Sequence, residues 1–141
     1  MAISSQARHL GNWGEDMAVL FLKKRGMRIV ARNVRTRVGE VDIIAFEYDK
    51  KIDRIVGRLP STAIGTYIII EVKTRAVKEL DQPAETRIDA KRYWKLIHGA
   101  QEILKNNQEP DERFRIDVIA ITYNPDTKES KIRYLPGFMI E

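Results

Sequence analysis

Gly39-Glu40-Val41-Asp42-Ile43-Ile44-Ala45-Phe46 and Tyr67-Ile68-Ile69-Ile70-Glu71-Val72-Lys73 are the two stretches on which the fold turns. Both are short apolar runs with β-branched residues, and both carry charge where a buried strand would hide it badly. Side chains two apart on a strand share a face. Glu71 and Lys73 therefore project together, while Ile68, Ile70 and Val72 fill the opposite face. On the first run Glu40, Asp42, Ile44 and Phe46 are expected on one face, with Asp42 where that face turns inward. If the runs pair, Asp42 adds a second carboxylate beside Glu71. Two hard oxygen ligands suit Mg²⁺ while leaving room for waters and a phosphate, an arrangement that cleaves phosphodiesters.

The rest of the chain sets bounds on that reading. With 141 residues and 43% hydrophobic content it is long enough for one packed domain, 1–141, and nothing suggests a second core. The 25 Lys and Arg against 20 Asp and Glu leave a formal charge of +5, which favours an acidic partner such as nucleic acid. No apolar stretch approaches the roughly 20 residues of a membrane span, and the amino terminus has no signal-peptide core. A cytoplasmic protein with no membrane partner is expected. The absence of Cys removes disulfides, thiolate metal sites and thiol nucleophiles together. His9 and His98 are isolated and have no metal-ligand spacing partner.

Helical spacing of Met17, Ala18, Phe21 and Leu22 predicts a first helix over Trp13 to Lys24, stopped at Gly26, with Glu15 on the border of its buried face. Met27 to Asn33 alternates as a half-exposed strand with a basic outer face. The stretch at about 47–65 reads as an extended hairpin insertion whose Lys50, Lys51, Arg54 and Arg58 face solvent or a phosphate backbone. A second helix between Ile88 and Lys105 presents Tyr93, Ile97, Ala100 and Leu104 on one face, ended by Asn106-Asn107 and Pro110. Strands follow at Phe114 to Thr122 and Ile132 to Leu135. The helix aromatics Trp13, Tyr93 and Trp94 read as core, with no base-stacking role.

The pattern Gly11-x-x-Gly14-Glu15-x-x-Ala18, Asn33, Gly39-Glu40-Val41-Asp42-Ile43-Ile44-Ala45, Glu71-Val72-Lys73-Thr74-Arg75, Lys91 and Arg115-x-Asp117-Val118 resembles the YraN-type family of the restriction-endonuclease-like, PD-(D/E)XK superfamily. The resemblance runs from Gly11 to Val118. It implies an α/β fold with a mixed central sheet flanked by helices, and metal-assisted hydrolysis of nucleic acid. Asp42, Glu71 and the Val72 carbonyl would then hold Mg²⁺, or Mn²⁺, with Lys73 orienting the water and offsetting charge on the phosphorane-like oxygens. Glu15 resembles the helix glutamate that ligates metal in part of the superfamily; a carboxylate favoured by the helix dipole is the equal alternative. Archaeal-type Holliday junction resolvases share a similar layout, which extends the implied substrate to branched or other structured DNA, with RNA also open. The insertion at about 47–65 is longer than family members usually carry there.

Thr74 and Arg75 follow the Glu-x-Lys strand directly, so they are placed to touch nucleic acid or merely to cap the strand end. Lys91 resembles the family's lysine on the second helix and shares a helical face with Lys95 and His98, which could meet a phosphate or simply be solvated. Two rival functions stand beside the nuclease. One is a catalytically silent nucleic-acid-binding module, whose binding would ignore divalent metal. The other is a protein-interaction domain, for which Tyr134, Leu135, Phe138, Met139 and Ile140 supply a candidate homodimer or partner surface.

Overall fold

The computed structural model describes residues 5–51, 65–106 and 114–138. Helix α1 (Ser5–Lys24) leads into strands β1 (Arg28–Thr36), β2 (Gly39–Tyr48) and β3 (Gly65–Ala76). Helix α2 (Ala90–Asn106) then crosses to β4 (Phe114–Tyr123), and β5 (Ser130–Leu135) closes the order. The five strands lie in sequence order across one sheet, with β3 and β4 parallel and every other neighbouring pair antiparallel. The parallel step needs a crossover, and α2 supplies it. This is the mixed sheet flanked by helices that the sequence predicts. No helix among the described residues is long and apolar enough to cross a membrane.

Each face of the sheet buries one helix. Ala18, Val19 and Leu22 of α1 pack with Ile43, Ala45, Ile68, Ile70, Ile119 and Ile121. On the other face Leu96, Ala100 and Leu104 of α2 pack with Ile44, Phe46, Ile69, Ile116 and Val118. Sheets covered on both sides carry near-continuous apolar runs, which is why Ile68, Ile69 and Ile70 are all fully buried. Helix α1 starts earlier than Trp13, at Ser5. Its end is fixed by Gly26, whose φ of 85° is costly for other residues. There the Gly26 N–H donates to the Lys23 carbonyl at 2.9 Å and the Met27 N–H to Leu22 at 3.1 Å, the paired bonds of a Schellman stop.

Helix α2 is capped by Asp89, which accepts the Arg92 N–H at 2.7 Å. Its buried stripe is Leu96, Ala100 and Leu104, with Tyr93 and Ile97 only at the margin, a rotation from the face expected. The core reading of Trp94 is overturned: its side chain is 56% exposed. Trp13 and Tyr93 do pack against the two cores. Tyr134, Leu135 and Phe138, expected as a partner surface, pack against the cores as well. Met139 and Ile140 lie outside the described residues, as do Asn107, Pro110 and most of the proposed insertion, including Arg54 and Arg58.

Regular alternation fails twice: the β1–β2 register shifts between Ile29 and Ala31, and the face changes again nearer the turn. Arg32 pairs with Ile43, and Val34 pairs with Val41. Ile43 belongs to the α1-side core, yet Val34 and Val41 pack on the α2 side. Asn33 and Asp42, which stand between these pairs, absorb the change of face, and Asn33 does so at a φ of 51°. The expectation that Glu40, Asp42, Ile44 and Phe46 share one face is thus corrected: Val41 joins Ile44 and Phe46 in the core, because an irregular step at Asp42 reverses the parity of the strand before it.

Candidate active site

The site is built where that irregular step meets β3. The β2–β3 ladder runs from Tyr48↔Gly65 to Ile43↔Ile70. One residue beyond its end, Asp42 Oδ2 accepts the backbone N–H of Val72 at 2.9 Å. Asp42 is thereby fixed beside the strand that carries Glu71 and Lys73. Burial pushes its carboxyl up from 3.8 to about 7, and repulsion from Glu71 and then Glu15 adds to the rise, against the Val72 N–H and Arg92. Each named carboxylate makes its neighbour's negative charge less favourable, as expected where a cation would be welcome.

Glu71 is held from α2. Arg92 donates from Nε at 3.0 Å and from Nη2 at 2.8 Å, both to Glu71 Oε2. The same Nη2 donates to the Glu40 carbonyl at 2.7 Å. This pair is largely enclosed, with 14% of the Glu71 side chain and 29% of Arg92 exposed. Glu71 and Lys73 do lie on one side of β3, as the alternation requires, but the ion-pair partner of Glu71 is Arg92. Lys73 Nζ lies 4.0 Å from Glu85 of the loop before α2.

Glu15 approaches from the opposite helix. Its burial raises its carboxyl, against a hydrogen bond from Asn33 and the charge of Arg32, with Glu40 and Asp16 adding to the rise. Arg32 lies 3.7 Å from Glu15 and bonds Asp16 at 2.8 Å. The centre is therefore a half-buried Asp42 between two arginine-paired glutamates, Glu15 on the α1 side and Glu71 on the α2 side. Among the described residues no three His, Asp or Glu side chains are already gathered on one point as a ready metal cage.

The remaining expected site residues are placed apart from this centre. Thr74 packs on the α1 face: a Cβ added to Gly14 would lie 1.9 Å from Thr74 Oγ1, so strand and helix are in close contact there. Arg75 is exposed and its Nη1 donates to the Pro83 carbonyl at 3.5 Å. Lys91 and Lys95 are exposed on the outer side of α2. Arg115 and Asp117 form a separate buried network. Asp117, 0% exposed, accepts from Arg115 Nε at 3.0 Å, from the Gly137 N–H at 2.8 Å and from the Tyr134 hydroxyl. Burial and the Asp117 carboxylate push the Tyr134 hydroxyl up to about 12.

Arg92 escaped the sequence reading, although a signal for it exists. Positions 92, 96, 100 and 104 recur every fourth residue, and the last three are the buried stripe of α2. A basic residue in line with that stripe must end on something inside.

A mixed sheet in this order, helices on both faces and strand-borne carboxylates at the end of a ladder define a restriction-endonuclease-like α/β domain. The chain belongs to the YraN-type family, matching over residues 14–121 the model described as Uncharacterised protein family UPF0102. A UPF0102 protein of Syntrophotalea carbinolica is 33% identical over 132 residues, which are 94% of this chain and 92% of that one. One from Roseiflexus castenholzii is 32% identical over 135 residues, 95% of either chain. A Chlorobium limicola UPF0102 protein is 40% identical over 114 residues, 79% of this chain and 74% of its own.

Proposed function

We propose that this protein is a metal-dependent nuclease that hydrolyses phosphodiester bonds, with DNA, including branched or otherwise structured DNA, as its substrate class. The observation that carries the reading is the placement of Asp42 at the end of the β2–β3 ladder, bonded to the Val72 amide next to Glu71. The donor set is chemically suited to Mg²⁺ or Mn²⁺: hard carboxylate oxygens that repel one another, flanked by a main-chain carbonyl at Val72. A divalent ion held by Asp42, Glu71 and that carbonyl would supply Lewis acidity and a water of lowered pKa.

The chain's own residues do the rest. Lys73 sets an ammonium on the Glu71 side of β3, where it offsets charge building on the phosphoryl oxygens. Arg92 presents a planar guanidinium that matches a phosphate as well as a carboxylate, so an entering phosphodiester competes with Glu71 for it. Glu15 brings a third carboxylate from α1, able to take or hold a proton beside Asp42.

The test is a panel of duplex, nicked, flapped, branched and single-stranded substrates with Mg²⁺ or Mn²⁺, using Glu71→Ala to expose contaminating activity. Asp42→Asn and Glu71→Gln should each abolish cleavage while leaving the fold and nucleic-acid binding intact. Lys73→Met should lower turnover about 100- to 1000-fold with Mn²⁺ binding unchanged by calorimetry. Retained cleavage in both Glu71→Gln and Lys73→Met would reject this assignment. The Arg92–Glu71 pair favours one competing reading, a binding module whose carboxylate is already neutralised. That module would hold nucleic acid equally well in EDTA and in Mg²⁺, and cut none.

A further inference from the structure

The outer face of α2 carries the most exposed large apolar side chain among the described residues, Trp94, at 56%. Its indole has two ring neighbours: the Tyr93 ring meets it edge-on at 5.7 Å and 79°, and the His98 imidazole lies at 6.4 Å and 36°. Lys91, Lys95 and His98 are all exposed around it, at the three- and four-residue spacings that put side chains on one helical face. Farther along the helix, a cleft of about 530 Å³ opens between Arg37, Val38, His98, Glu102 and Lys105. Glu102 is engaged there by Arg37, accepting its backbone N–H at 3.0 Å and lying 3.5 Å from its Nε. The cleft keeps a net positive charge from Arg37 and Lys105.

From Lys91 to Lys105 this strip measures about 21 Å along the helix axis. Its Lys91 end is next in sequence to Arg92, which turns inward to Glu71. A basic track with an exposed aromatic face in it has the two components of single-strand recognition. Cations follow the backbone, and a base stacks on the ring without regard to its identity. Duplex bases are already stacked on each other and offer such a ring no face.

We propose that the outer face of α2 binds an unpaired nucleic-acid strand, with Trp94 as the base-stacking platform and Lys91, Lys95 and His98 as its phosphate contacts. The proposal rests on the nuclease reading for the identity of the ligand and narrows it to substrates with a single-stranded segment. Charge complementarity favours this occupant over another protein or a second copy, since the apolar ring is flanked by the ammonium groups of Lys91 and Lys95.

The test measures binding of a fluorescent single-stranded oligonucleotide and of a blunt duplex to the whole chain, in EDTA, by anisotropy. Trp94→Ala should weaken single-strand binding about tenfold and leave duplex binding unchanged, while Trp94→Phe should retain most of the affinity. Sedimentation of each variant alone reports its assembly state. Unchanged single-strand affinity in Trp94→Ala overturns the proposal, even where cleavage by the wild type upholds the nuclease. Equal losses on both ligands overturn the stacking role. A dimer that Trp94→Ala dissolves, with no effect on the oligonucleotide, reassigns the face to a second copy. Failure of the wild-type chain to bind either ligand overturns the proposal and the nuclease reading together.

Discussion

At the scale of single residues, Asp42 couples the centre to pH. Its carboxyl is raised from 3.8 to about 7 in the folded chain, first by burial and then by Glu71. Between these values the folded state binds a proton that the unfolded state releases, so stability must fall as pH rises. The contribution is complete below about 4 and gone above about 7, on the order of 4 kcal/mol in all. Urea midpoints measured from pH 4.5 to 8 in EDTA should therefore decline, and Asp42→Asn should flatten most of that decline. Added Mn²⁺ should restore wild-type stability at pH 8 and do little for Asp42→Asn, since a bound cation rewards the ionised carboxylate. Asp117 makes a contrasting case. It is enclosed by Arg115, Tyr134 and the Gly137 amide, so Asp117→Ala removes the acceptor of all three, leaves Arg115 paired with Glu47 at 3.0 Å, and should cost about 3 kcal/mol in a denaturation curve. Neither stability effect requires a substrate.

At the scale of elements, the crossing of α1 over β3 is set by Gly14. A methyl group there would sit 1.9 Å from Thr74 Oγ1 and 2.9 Å from Thr74 Cβ, distances that force the helix off the sheet. Gly14→Ala should cost about 1–3 kcal/mol of overpacking despite its better helix propensity. Adding Thr74→Ala should recover only part, because Cβ remains in the way. Much of this level was legible in the sequence. The Ile68-Ile69-Ile70 run announces a strand covered on both faces, and Gly26 marks the end of α1. The early start of α1 was not legible, since Ser5 to Asn12 lacks the apolar stripe that periodicity detects. Nor was the face reversal at Asn33 and Asp42, because a change of parity leaves no trace in either strand's composition and emerges only from their pairing. For the same reason Arg92 went unseen: a rotation of α2 by about one residue decides whether Lys91 or Arg92 faces the sheet.

At the scale of the whole molecule, the formal charge of +5 is spread over several elements, with no groove-reading motif. Binding should be directed at phosphates. With about four contacts, log K should fall against log salt with a slope near −3.6 for duplex DNA, and a flat response would refute backbone-directed binding. Neutralising Arg75, Lys91 and Lys95 together should weaken binding without altering Mn²⁺ affinity. Composition and charge favour such a partner, while the candidate centre was half legible: Asp42 and Glu71 by motif and spacing, the arginine partners of Glu15 and Glu71 only by fold.

The bond between the Val72 amide and Asp42 Oδ2 has a use beyond architecture. A main-chain proton that points at a single carboxylate senses that carboxylate's charge, so the Val72 amide is a spectroscopic witness to the centre. Its nitrogen and proton resonances should move as Asp42 titrates, with no substrate present. Ions or oligonucleotides that engage Asp42 will displace the same resonance, allowing ligands to be screened before any substrate has been identified.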